Sequence, residues 1–95
     1  MSDEAYRLIL APAARRALTE PPPAGLPTAV AAAVVEFVTR PLLDRPRVVG
    51  KPLLRELSGH RSARRGAYRI LYRVDDRART MRVVRIDHRC DVYHI

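Results

Sequence analysis

Ninety-five residues with a formal net charge of +8 and an apolar share of 47% describe one small basic domain and argue against wholesale disorder. No apolar run reaches the roughly 18 residues a membrane span needs, and the acidic opening MSDEAYRLIL is not a signal peptide. The single cysteine, Cys90, excludes an internal disulfide, so the chain is expected to be a soluble cytoplasmic protein with no membrane partner.

The charge is lopsided. Residues 1–50 hold six Arg and five acids, a balance of +1, whereas residues 51–95 hold one Lys, eleven Arg and five acids, a balance of +7. Such a half favours a polyanionic partner, either nucleic acid or an acidic protein surface. Seventeen of the eighteen basic residues are Arg, whose planar fork suits phosphate better than an ammonium does.

In chain order, Tyr6–Leu10 predicts a short strand, and Pro12 then suits the first turn of a helix running to Thr19. Pro21–Pro23 stops that helix, since consecutive prolines cannot donate backbone hydrogen bonds. Pro27 or Thr28 opens a second helix with Val30, Val34, Phe37 and Val38 on one stripe; Pro41 ends or kinks it, and Leu42 and Leu43 add a turn. Asp44–Gly50 reads as a connector, Lys51–Leu57 as a strand or a turn leading into one, and Ser58–Gly59 as a break. Ala67–Val74 alternates clearly, with Tyr68, Ile70, Tyr72 and Val74 facing one way and Arg69, Leu71 and Arg73 the other. Asp75–Arg79 is a turn. Thr80–Asp87 returns as a strand, with Val84 and Ile86 on one face and Met81, Val83 and Arg85 on the other; Asp91–Tyr93 offers a last short pairing. The layout predicts a single α+β domain over residues 1–95, with two N-terminal helices packed on a small, mainly antiparallel sheet in the order β-α-α-β-β-β.

Arg61, Arg64, Arg65, Arg69, Arg73, Arg85 and Arg89 form a basic set on neighbouring strands. A solvated sheet face would also carry exposed arginine, but few acids are at hand to neutralise this one. His88, Arg89 and Tyr93 gather at the end of the last long strand. A phenol beside a guanidinium can stack a base, bond a ribose hydroxyl and hold a phosphate, or the tyrosine can simply cover the core edge. His60, in the loop SGHRS, is either polar filler or part of a site. Cys90, His60, His88 and His94 lack the short repeated spacing of a metal site, so neither metal nor cofactor is expected.

The runs GKPLL, SARRGAYRILYRVDD and RIDHRCDVY, with an ARRAL helix and a VEFV-bearing second helix upstream, resemble the RelE/ParE superfamily of bacterial toxins, in its RelE-like branch common in actinobacteria. The resemblance covers nearly the whole chain and is most specific in the hairpin with its terminal HR and VY. It implies the toxin of a type II toxin–antitoxin pair, hetero-oligomeric with a cognate antitoxin protein, that cuts mRNA in the ribosomal A site of the small subunit and leaves a 2′,3′-cyclic phosphate. It places the family's catalytic arginine on Arg69, its strand-end arginine on Arg89 and its closing tyrosine on Tyr93. Two lysines that well-known members carry on the preceding strand fall on His60 and Ser62, and a commonly acidic position before Tyr68 is Ala67. The chain also ends soon after Tyr93, without the C-terminal helix of some members.

RNA cleavage by its own 2′-hydroxyl needs a proton acceptor, a stabiliser for the phosphorane charge and a proton donor to the leaving oxygen. Arginine does the second job and, with its very high pKa, does the others badly. Arg69 and Arg89 are therefore the expected charge stabilisers. The proton carriers are sought among His60, His88, Lys51 and Tyr93; intrinsic pKa favours the histidines and the family likeness favours Tyr93. Lys51, Arg61, Arg64, Arg65, Arg73 and Arg85 are the expected RNA-binding residues. Two alternatives stay open: a ParE-like toxin that inhibits a topoisomerase without catalysis, and an inactive nucleic-acid-binding relative.

Overall fold

A computed structural model describes residues 5–88. Strand β1 (Arg7–Leu10) leads into helix α1 (Pro12–Thr19), followed by α2 (Thr28–Thr39) and two single-turn helices, α3 (Pro41–Asp44) and α4 (Pro46–Val49). Strands β2 (Lys51–Pro52), β3 (Arg61–Arg65), β4 (Tyr68–Asp75) and β5 (Thr80–His88) complete the chain, with a 3₁₀ turn at Arg55–Leu57 between β2 and β3. The sheet runs β1-β5-β4-β3-β2, antiparallel except for the parallel pairing of β1 with β5. This is the expected α+β class.

Proline punctuates the helical half. Pro12, Pro41 and Pro46 each stand in the first turn of a helix, where a missing N–H leaves nothing unsatisfied. The segment expected to be a plain connector, Asp44–Gly50, therefore contains a helical turn opened by Pro46. Between α1 and α2 the chain doubles back tightly, with the Leu26 N–H bonded to the Ala17 carbonyl at 2.8 Å. Gly25 makes that approach possible, because a Cβ there would fall 1.7 Å from the Glu20 carbonyl oxygen.

Two sheet features are not announced by the residue pattern. Strand β3 follows only from the family likeness, which puts a strand around His60 and Ser62; RSARR itself places only Ala63 in the core, so no apolar alternation announces it. In β5 the pairing slips. Leu71 lies opposite Arg85 but Tyr72 opposite Val83, so Val84 is an extra, bulged residue. The bulge reverses the phase along the strand, so that Met81, Val83 and Ile86 all enter the core while Arg82 and Arg85 stay outside. The expected grouping of Met81 and Val83 with Arg85 is thereby corrected.

The helices cover one face of the sheet. Ala14, Val34, Val38 and Leu42 pack against Ala63, Ile70, Tyr72, Met81, Val83 and Ile86. Val30 and Phe37 flank that core, completing the stripe expected for α2. Among the described residues no helix is long and apolar enough to cross a membrane.

Tyr72 is the polar anchor of this core. Its ring is fully buried and its hydroxyl donates to the Pro46 carbonyl, tying β4 to α4. Gly50 must stay bare beneath it, since a Cβ would lie 2.0 Å from the phenol oxygen and 2.8 Å from the Ser62 carbonyl oxygen. Burial pushes the phenol above its ordinary range. A folded-state pKa above the unfolded value near 10 means that the stabilisation is complete below about pH 10 and is lost as pH rises through the folded value. Tyr72→Phe is expected to cost about 1–2 kcal/mol at neutral pH by orphaning a buried carbonyl. It should also flatten the alkaline fall in stability, and urea denaturation at neutral and alkaline pH checks both.

Candidate nucleic-acid interface

The face of the sheet turned away from the helices follows from the register. On β4, Ile70 and Tyr72 point into the core, so Arg69, Leu71 and Arg73 point out. Cross-strand partners share a face. Ser62 and Arg64 on β3 therefore join Leu71 and Arg69, and Arg82, Arg85 and Asp87 on β5 join Arg73, Leu71 and Arg69. Lys51, opposite Ser62, extends the face onto β2. Lys51, Ser62, Arg64 and Arg69 line one open groove of about 540 Å³, with Val49 and Pro52 at its rim. Arg64, Arg69 and Asp87 form a row across three strands. Asp87 also accepts a 2.6 Å bond from Arg85 Nε.

The expected basic set is thus divided. Arg64, Arg69, Arg73 and Arg85 share the open face. Arg61 lies opposite core-facing Tyr72, and its guanidinium donates to the carbonyls of Arg47 (2.8 Å) and Gly50 (3.1 Å), which makes it a structural clamp between β3 and α4. Arg65 lies opposite Tyr68 on the helix side, beside Val30 and Val34 of α2. Sequence reasoning missed Arg82, which the bulge at Val84 and the pairing with Arg73 place on the open face. Its position two residues after Thr80 was visible, but its face depends on the phase of the strand.

The two histidines are not brought to Arg69. His88 pairs with Tyr68, its ring edge-on at 5.0 Å on the helix side of the sheet. His60 is half-buried just before β3. Its backbone bridges to Leu57 and Leu53, its Nδ1 is buried without a hydrogen-bond partner among the described residues, and it is not among the groove-lining side chains. Arg89, Cys90, Tyr93, His94 and the expected pairing at Asp91–Tyr93 lie outside the described residues. Among the described residues no cluster of His, Cys, Asp or Glu is arranged to hold a metal ion.

Acids near the β4–β5 turn are already engaged. Asp75 Oδ1 accepts the backbone N–H groups of Arg77 and Ala78 at 3.0 and 3.1 Å. Asp76 accepts the Tyr6 hydroxyl at 2.5 Å and Arg47 at 2.7 Å, with Arg79 at 3.7 Å. The Tyr6 hydrogen bond, followed by Arg47, holds the Asp76 carboxyl below the usual carboxylate range, and Asp76 in turn raises Arg47. The Arg79 guanidinium also caps the Tyr6 ring at 4.3 Å from its centroid, so β1, α4 and the turn are joined at one exposed knot.

The family described as the ParE toxin of type II toxin–antitoxin systems, parDE, matches residues 8–93. Toxin RelE of Mycobacterium tuberculosis is 40% identical over 93 residues, spanning 98% of this chain and 91% of that protein. Toxin RelG of the same organism is 56% identical over 68 residues, 72% of this chain and 78% of its own length. Among solved structures, the RelBE2 toxin–antitoxin complex of M. tuberculosis superposes with a TM-score of 0.79 at 48% identity, covering 90% of this chain and 99% of that one. The Escherichia coli RelBE complex, at 19% identity and a TM-score of 0.67 over 88% of this chain and 96% of that one, shares the fold.

Proposed function

This chain belongs to the ParE toxin family of type II toxin–antitoxin systems, as a RelE-like toxin of the wider RelE/ParE superfamily, and on that premise we propose that it is a ribosome-dependent mRNA endonuclease. The observation that carries the reading is Arg69. It stands on a central strand in an open groove beside Lys51 and Arg64, a cationic slot able to receive a phosphodiester. In this reading Arg69 and Arg89 stabilise the charge that builds on the phosphorane after 2′-hydroxyl attack. Tyr93 orients or deprotonates the hydroxyl, as the family likeness implies. The placement of His88 across the sheet from Arg69 supports the tyrosine over that histidine. Lys51, Arg64, Arg73 and Arg85 hold the RNA backbone. A cognate antitoxin, the kind of partner that gives the RelBE2 complex its description, would be an acid-rich protein that masks this surface.

Cationic groups without a tuned acid–base pair gain most when the substrate arrives already shaped for in-line attack. Cleavage is therefore expected on translating ribosomes, with free RNA cut poorly. The test is inducible expression with mapping of transcript 5′ ends, together with purified toxin on naked RNA. Cuts within translated frames and intact naked RNA are the expected result; rapid cleavage of free RNA would replace this reading with a self-sufficient ribonuclease. The matched family's ParE description favours a second reading, topoisomerase inhibition. In that case transcripts would stay whole while replication stalls.

A further inference from the structure

The open face carries a second like-charge pair, away from Arg69, that joins the backbone-holding Arg73 to an arginine with no role so far. Arg73 on β4 lies directly opposite Arg82 on β5, both exposed. Like charges facing each other across a sheet are destabilising unless something neutralises them. Nothing within the described chain does so: neither arginine has an ion-pair partner among the described residues. The two acids alongside are committed elsewhere, Asp75 to the backbone of the turn and Asp76 to Tyr6, Arg47 and Arg79. Arg73, Arg77, Thr80 and Arg82 line a concavity of about 550 Å³ floored by Ile9. Arg73 is four residues along β4 from Arg69, about 13 Å at the usual strand rise, too far for both to grip one phosphate.

We propose that Arg73 and Arg82 form a second phosphate subsite, which binds a backbone phosphate of RNA distant from the one being cut. It deepens the endonuclease reading and rests on it. The strand would then be held at two points, Arg64–Arg69 and Arg73–Arg82, that fix its direction across the sheet. The chemistry recognised is a phosphodiester, whose source is either the messenger strand or ribosomal RNA.

The test is Arg73→Gln/Arg82→Gln, with Arg73→Lys/Arg82→Lys as the charge-conserving control. Affinity is measured against salt for a short single-stranded oligonucleotide that lacks 2′-hydroxyls, and separately for small ribosomal subunits. Because the oligonucleotide cannot be cleaved, the readout is independent of nuclease activity. Each phosphate contact on a single strand contributes about 0.7 to the slope of log K against log salt, so losing this one phosphate in the Gln pair should flatten it by about 0.7 and the Lys pair should restore it. Loss with the oligonucleotide assigns the phosphate to the messenger strand; loss only with subunits assigns it to ribosomal RNA. Thermal stability of the Gln pair should hold or rise as the repulsion is relieved, so weaker binding would not be a folding defect. Unchanged slopes with both probes, or a loss confined to an acidic antitoxin peptide, would overturn the proposal.

Discussion

Arg69→Ala is expected to abolish growth arrest and to slow mRNA cleavage by about 10²–10³-fold, the usual cost of losing one preorganised charge stabiliser. The residue faces the open side of β4, away from Ile70 and Tyr72, so truncation leaves the core packing intact. Its neighbours Arg64 and Lys51 remain to bind RNA, and the loss should therefore fall mainly on kcat. Cleavage by purified variant and wild type on the same translated message is the measurement, with thermal denaturation as the control for folding. Near wild-type cutting by a folded variant would remove Arg69 from the mechanism.

Leu42→Ala should be the most damaging of the simple core truncations. Leu42 is 0% exposed in the single turn of α3 and packs in the cluster that joins the helices to Ile70 and Tyr72. Leucine-to-alanine changes at such sites cost about 2–5 kcal/mol, and a domain this small has about 5–15 kcal/mol in total. At about 4–8 °C per kcal/mol the melting temperature should fall by about 8 °C or more. Leu54→Ala is the matched control, because Leu54 is 77% exposed and its loss should leave the melting temperature nearly unchanged. Similar shifts for the two variants would show that α3 is not part of the cooperative core.

The elements with strong local signals were legible in the sequence. Pro12 marked the start of α1 and Pro41 the end of α2, the stripe Val30, Val34, Phe37 and Val38 marked the inner side of α2, and the alternation from Tyr68 to Val74 marked β4. What escaped depended on distant partners. Strand β3 has one core side chain and is a strand because β4 and β2 bond to it. The bulge at Val84 is a property of the β4–β5 pairing, and a run of alternating residues cannot display it. The candidate site inherits that limit: arginines could be counted, but only the register separates Arg64, Arg69 and Arg82 from the clamp formed by Arg61.

The parallel pairing of β1 with β5 also governs how the chain is completed as it is synthesised. Arg7 lies beside Thr80, so the first strand to leave the ribosome waits for the last described one before it has a neighbour in the sheet. Contacts so distant along the chain are slow to close, and domains of this size fold as units. A nascent chain lacking β5 has no partner for β1 and lacks Met81, Val83 and Ile86 from its core. Synthesis must be almost finished before the folded toxin exists, so a chain cut short before β5 carries neither the finished sheet nor the open face built on it.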